Sequence, residues 1–234
     1  MIPVLLIAAN FLREQRWLTV LLVLYAVGGA LLFGLGEVKV PSDDVLFYLK
    51  QQAAYAILFS VFLAASAIHN ERKTRRILAV LSKAVARRDY LAGLLLGVLS
   101  VPAIYCLAIA LAGTWLARHS GAVPELWTLV GIATLAALLA AAVTLFFTTF
   151  LGPLFATLAA ALAMGVPIAL ERALGHSWGS VLPVYSLVVS VSGASLARAH
   201  LPWSTLAIAI AEVVALWLLG AAIFARRDIT VAVE

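Results

Sequence analysis

The chain has 234 residues, 65% of them hydrophobic and only 12% charged, with a formal net charge of +5. Its mean hydropathy is +1.09. Soluble domains carry about 25% charged residues, so the composition argues against a water-soluble globule and for an all-α integral membrane protein. Crossing roughly 30 Å of hydrocarbon takes about 20 apolar residues as helix. That leaves room for about six spans in a single domain, 1–234, and none for a sizeable soluble part. The apolar runs are continuous and do not alternate with period two, so helices rather than barrel strands are expected. Cys106 is the only cysteine and lies in an apolar run, so neither an intrachain disulfide nor a cysteine metal cluster is expected.

Residues 1–16 are apolar first (Ile2, Val4, Leu5, Leu6, Ile7) and charged afterwards (Arg13, Glu14, Arg16). A cleaved signal peptide has the reverse order. An N-terminal interfacial helix is expected, with Phe11 and Leu12 continuing its buried face; a plain extension of the first span is the alternative. Span one is placed at 17–36 and span two at 46–68. The first half of span two contains Lys50, Gln51 and Gln52, which are costly in lipid and are expected to face protein or water. Span three is placed at 90–117, with Pro102 as a kink. Gly93 and Gly97 near its start form a GxxxG pair, a spacing that permits close helix approach. Span four is placed at 126–150, and span five opens after the short uncharged turn Phe150-Leu151-Gly152-Pro153 and weakens near Glu171 and Arg172. Residues 175–201, broken by Gly179, Pro183, Gly193 and serines, are read as short re-entrant or interfacial helices. Span six is placed at 203–224.

Between spans two and three lies the only densely charged stretch, from Glu71 to Asp89. It holds seven of the 16 Lys and Arg residues: Arg72, Lys73, Arg75, Arg76, Lys83, Arg87 and Arg88. Ile77, Leu78 and Leu81 fall on one face of a helix, so the spacing predicts a short amphipathic helix over 71–83, basic on one side and apolar on the other. With six spans, this stretch shares one side with Arg13, Arg16, Arg226 and Arg227. Lys39, Lys50, Arg118, Arg172 and Arg198 lie on the other. The excess of Lys and Arg places both termini in the cytoplasm.

No catalytic constellation is visible. A GxxxxGK[ST] loop is lacking, so the chain is not expected to cradle ATP phosphates itself. His69, His119, His176 and His200 sit at span ends or in loops, where neither a metal site nor an intramembrane serine protease is expected. Glu212 is the one acid deep in a span, a functional candidate by its intramembrane cost. It could pair with Lys50 or Gln51, line a path, or serve as a hydrogen-bonded structural acid.

The run Asn70-Glu71-Arg72-Lys73-Thr74-Arg75-Arg76-Ile77-Leu78-Ala79-Val80-Leu81-Ser82-Lys83, followed by Ala86-Arg87-Arg88-Asp89-Tyr90-Leu91-Ala92-Gly93, resembles the type-2 ABC exporter permeases. Within them it is most similar to the small permeases of multicopper-enzyme maturation. Arg75-Arg76 stand where that family often has Gly-Thr, and Ala84 where it has Pro. The resemblance implies that 71–83 is a coupling helix seated in a groove of a separate ATPase subunit. Glu71, Arg72, Arg75, Arg76, Ile77, Leu78 and Leu81 would make the contact. It further implies ATP and Mg on that partner, with no cofactor on this chain. A second permease copy or a related permease, membrane lipid and a periplasmic or extracellular accessory protein would complete the assembly, in the bacterial cytoplasmic (inner) membrane. No nucleic-acid partner is expected. The other readings are a non-transporting membrane anchor or sensor that recruits a cytoplasmic partner, and an integral membrane enzyme.

Overall fold

The computed structural model describes residues 2–35, 41–73, 85–119, 123–174 and 203–226. These form seven α-helices and one 3-10 turn, with no strand among the described residues. The helices are α1 (Ile2–Glu14), α2 (Arg16–Gly34), α3 (Ser42–Lys73), α4 (Arg87–Leu116), α5 (Val123–Thr148), α6 (Pro153–Leu174) and α7 (Trp203–Arg226). Five of them, α2, α3, α4, α5 and α7, are long and apolar enough to cross a membrane. The apolar part of α6, Pro153–Val166, is shorter.

The helix ends differ from expectation at one place that matters. Glu71, Arg72 and Lys73 do not open a separate amphipathic helix; they are the last turn of α3. Neither Gly nor Pro interrupts the chain from Ser42 to Lys73, so nothing in the sequence stops the helix where its polarity changes. The rest of the expected coupling helix, and the segment expected to be re-entrant, lie outside the described residues. Pro102 sits inside α4, whose helix continues through it.

Helix α5 is the hub. Of its most apolar stretch 72% is buried, against 17% for α2 and for α7, which therefore lie at the flanks. Its buried face is built from Ala133, Ala136, Ala137, Ala140 and Ala141, small residues that let α3, α4, α6 and α7 come close. Hydroxyls along the helices mostly satisfy themselves: Ser60, Ser100, Thr114, Thr134, Thr144 and Thr157 each donate to the carbonyl four residues back, at 2.6–2.9 Å. Side chains bonded in this way add no uncovered polarity to an apolar surface.

Helices α1 and α2 behave as one rod. The Gln15 N–H donates to the Phe11 carbonyl at 3.0 Å and the Thr19 N–H to the Gln15 carbonyl at 2.8 Å, so the two helices abut directly, with one turn residue, Gln15 (φ −85°, ψ 8°), breaking the ladder between them. The rod lies along α4 in the same chain direction. A Cβ built on Gly93 would stand 2.8 Å from both the Val4 carbonyl oxygen and Ile7 Cβ; one on Gly97 would stand 2.8 Å from Phe11 Cβ. The GxxxG pair thus seats the N-terminal helix. Farther along, Gly34 packs against Trp115 and Leu116.

These contacts sort the helix ends into two poles. At one, Gly113 meets Leu49 and Leu126, and Trp127 Nε1 donates to Thr114 Oγ1 at 3.1 Å. There Arg118 lies 5.3 Å from the centroid of the Trp115 ring. At the other pole meet the end of α3, the starts of α1 and α4, the α5–α6 turn and the end of α7.

Replacing Gly93 by Val is expected to overpack this seat at a cost of about 1–3 kcal/mol, lowering the apparent Tm of the purified protein. Gly131→Ala is the control, since nothing lies within 4 Å of an added Cβ there; it should leave Tm unchanged or raise it. An unchanged Tm for Gly93→Val would show that α1 is not seated on α4.

Candidate functional site

The pole that gathers the charged stretch is held by three helices. Glu71, in the last turn of α3, is 8% exposed and lies beside the Tyr90 side chain of α4. The Tyr90 ring stacks on Phe224 of α7, with centroids 6.2 Å apart and planes 15° from parallel. One turn earlier on α7, Gly220 faces Leu91 and Thr149. Arg87 completes the joint. Its Nη1 donates to the carbonyl of Phe224 at 3.2 Å and to that of Ala225 at 2.9 Å. The last carbonyls of a helix have no intrahelical donor and carry the negative end of its dipole, so a guanidinium there both bonds and neutralises them. Arg88 and Asp89 form only a long surface pair at 3.7 Å, which adds little. Beside this joint a hollow of about 120 Å³ opens between His69, Thr148, Leu151 and Pro153.

The side chains expected to dock a partner are split by this arrangement. Glu71 is folded into the joint rather than presented to a partner. Arg72 belongs to the last turn of α3. Arg75, Arg76, Ile77, Leu78 and Leu81 lie outside the described residues. The stretch is nonetheless anchored at both ends, on α3 by Glu71 and on α4 by Arg87, and both anchors converge on the end of α7.

A second polar arrangement runs through the middle of α2, α3 and α4. Tyr48 Oη donates to the Ala26 carbonyl at 2.8 Å, and Tyr105 Oη donates to Gln52 Oε1. Both tyrosines are fully buried and Gln52 nearly so. Gly29 makes the room: a Cβ there would stand 3.3 Å from Gln52 Nε2 and from the Tyr48 ring. These bonds tie three helices together and leave little polarity unsatisfied inside.

The outward neighbours of this knot are different. Tyr25 and Tyr55 meet edge to face, 5.5 Å between centroids, and Gln51 Nε2 lies 3.5 Å from Tyr55 Oη. Tyr25 remains 42% exposed, and Gln51, Tyr55 and Lys50 are half-buried. Tyr25 is the midpoint of α2, about 14 Å from either end at 1.5 Å per residue. On α3 the polar residues interrupt an outward stripe of Phe47, Leu58 and Phe62, each at least half exposed. Along one edge of this stripe Tyr48 and Tyr55 pack towards α2. The other edge turns to the cluster of Ala53, Ile132 and Ala160, which joins α3 to α5 and α6.

Glu212 belongs to neither arrangement. It sits on α7, next to Val213, which packs against α5. No hydrogen bond or ion pair among the described residues joins it to Lys50 or Gln51. Its Oε2 is buried without a hydrogen-bond partner among the described residues, as is Trp217 Nε1. Among the described residues no group of three or more His, Cys, Asp or Glu side chains could hold a metal ion.

Sequence reasoning missed Tyr25, Tyr55 and Arg87. Each is an ordinary residue in its own segment, and its meaning comes from a partner 30 or more positions away. A hint existed in the three consecutive polar residues Lys50-Gln51-Gln52: a helix turns them in three directions, so they could not all be buried on one face.

No family model matches the chain, and no curated protein matches it.

Arg87→Ala is expected to remove the cap of α7. A hydrogen bond to a charged group contributes about 1.5–3 kcal/mol, so amide exchange in the last turn of α7 should speed up by roughly tenfold or more. Arg87→Lys should restore part of the protection. Exchange unchanged in Arg87→Ala would show that the guanidinium does not hold the helix end.

Proposed function

We propose that the chain is the membrane-spanning permease subunit of an ATP-driven transporter of the type-2 ABC exporter kind, with ATP hydrolysis on a separate partner chain. In this reading α2 to α7 are six spans, and α1, which runs beside α4 rather than across it, extends the first span instead of lying flat as an interfacial helix. The pole that gathers the charged stretch then faces the cytoplasm, in the bacterial cytoplasmic membrane.

The observation that carries this reading is the polar outward stripe of α3. Tyr25, Gln51 and Tyr55 lie near mid-depth of spans and remain partly uncovered. Such groups are costly against hydrocarbon and belong against water or protein. A helix whose only task is to anchor a partner has no use for them; a wall of a path does. By the resemblance, spans one, two and five line the path. Those are α2, α3 and α6, and α3 carries its polar stripe between the edges that turn to the other two. A second copy, or a related permease, would close the path from the other side.

The joint at the pole supports the second half of the mechanism. A partner pressing on 74–84 would load α3 through Glu71 and α4 through Arg87, and Arg87 passes the load to α7. Rigid helices tied in this way move as a unit, which is how a push on a short segment becomes a rearrangement of the path. The apolar face of Ile77, Leu78 and Leu81 would fill the partner's groove, with Arg72, Arg75 and Arg76 meeting acidic residues around it.

The test is affinity purification of the full chain from its native membranes, with a nucleotide-hydrolysing subunit expected to co-purify. Leu78→Asp with Leu81→Asp places two charges in the apolar face and should abolish the complex while leaving the permease folded. Binding that survives the double change sinks the docking assignment. Nucleotide-dependent reactivity of a Leu58→Cys variant towards a water-soluble thiol reagent separates transport from anchoring, because an anchor gives no such change.

A further inference from the structure

We propose that Arg13, Arg16 and Trp17 form a binding site for the headgroup of an anionic phospholipid on the outer flank of the α1–α2 rod. The two helices abut at the single turn residue Gln15, and their buried sides agree: Phe11 of α1 and Leu22 and Ala26 of α2 all face the protein. At about 100° per residue, Leu6, Arg13, Arg16, Trp17, Val20 and Leu24 then fall on a single face. That face is turned away from the protein: Leu6 is 63% exposed, Trp17 72% and Leu24 65%, with both arginines exposed as well. It is therefore an apolar face interrupted by one basic band.

No ion pair among the described residues involves either arginine of the band. Glu14 accepts from Asn10 Nδ2 at 3.1 Å, and neither arginine pairs with a carboxylate among the described residues. The Arg16 guanidinium instead stands 5.6 Å from the centroid of the Trp17 ring. Its depth is unusual too. Phe11 is level with Gly97 of α4, so Arg13 and Arg16 come level with positions near 99–102. Helix α7 ends beside Arg87 and Tyr90, which puts the band roughly 15 Å further along the bundle at 1.5 Å per residue. Two unpaired cations there have apolar surface both above and below them.

An anionic phospholipid is the one common partner that matches both features. Its phosphate suits two guanidinium groups one turn apart. Its acyl chains continue along Val20 and Leu24, and an indole ring is at home at the level where head and chain meet. An acidic protein segment would supply the charge but would leave the apolar flanks to be covered separately. The site does not depend on transport or on an ATPase, so it stands apart from the function proposed above.

The experiment extracts the full chain from membranes of equal phosphatidylglycerol and phosphatidylcholine and measures retained lipid by native mass spectrometry. A photoreactive phosphatidylglycerol maps the contact. Each arginine near an anionic surface favours binding by about fivefold. The protein should therefore retain phosphatidylglycerol by roughly tenfold or more over phosphatidylcholine, with crosslinks on 6–24. Arg13→Gln with Arg16→Gln should bring the two lipids near parity, and Arg13→Lys with Arg16→Lys should keep most of the preference. Equal retention by the unaltered protein, crosslinks confined to other helices, or a preference that survives the double glutamine change each overturns the site. Loss of the bound lipid on adding millimolar inorganic phosphate would show a free-anion site and overturn the assignment to lipid. Mapping on the unaltered protein decides the question even if a variant fails to fold.

Discussion

A helix that crosses hydrocarbon has to satisfy its own polar groups, because no water is there to do it. Most of this chain obeys that constraint locally. Backbone groups bond within seven helices, and serine and threonine hydroxyls turn back to the carbonyl of the preceding turn. Apolar side chains do not distinguish lipid from protein strongly, so helix association rests on close approach instead. The alanines of α5 and the glycines at 93 and 97 provide it. At Gly93 the approach is backbone to backbone, with no space for even one methyl group. The remaining polarity is thereby concentrated into a few places, and those places are where the molecule can do something other than span.

Three such places stand out, and they differ in how completely they are satisfied. The Tyr48, Gln52 and Tyr105 bonds are internal and closed, so their role is to fix the mutual position of α2, α3 and α4. The pole joint of Glu71, Arg87, Tyr90 and Phe224 is also closed, but it sits at the ends of three helices and brackets a charged segment. A closed joint in that position transmits displacement. The outward pair Tyr25 and Tyr55, with Gln51, is left open to one side. An open polar group at mid-depth asks for water, a substrate or a second protein, and this difference separates the wall of a path from a structural knot.

The spans were legible in the sequence because their signal is additive: about 20 apolar residues in a row need no partner to be recognised. The five long apolar helices fall where hydropathy placed them, within a few residues at each end. The helix ends at the charged stretch were not legible. Asn70-Glu71-Arg72-Lys73 reads as polar punctuation, yet Glu71, Arg72 and Lys73 are good helix formers and carry the helix past the weaker Asn70. The GxxxG pair announced a close contact without its partner, because spacing reveals that a helix can be approached and not which helix approaches. Its partner, α1, lies more than 80 positions upstream. The same limit hid Tyr25 and Tyr55, whose significance is a pairing between two helices.

Position also changes how the N-terminal region is to be understood. Read along the chain, Arg13 and Arg16 are simply the charges that end an apolar helix. Read in space, they belong to a rod that runs on beside α4, while α7 has already ended near Arg87. The two basic groups therefore stand at different levels along the bundle. Those around Arg87 are used up in capping a helix and bracketing the charged segment. Those at 13 and 16 are directed outward on the flank. A membrane bundle whose helices shift against one another needs some of them tied at the pole and some resting against lipid. The first kind of cation fixes helix ends to one another, and the second, if it holds a headgroup as proposed, ties the flank to the surrounding lipid instead.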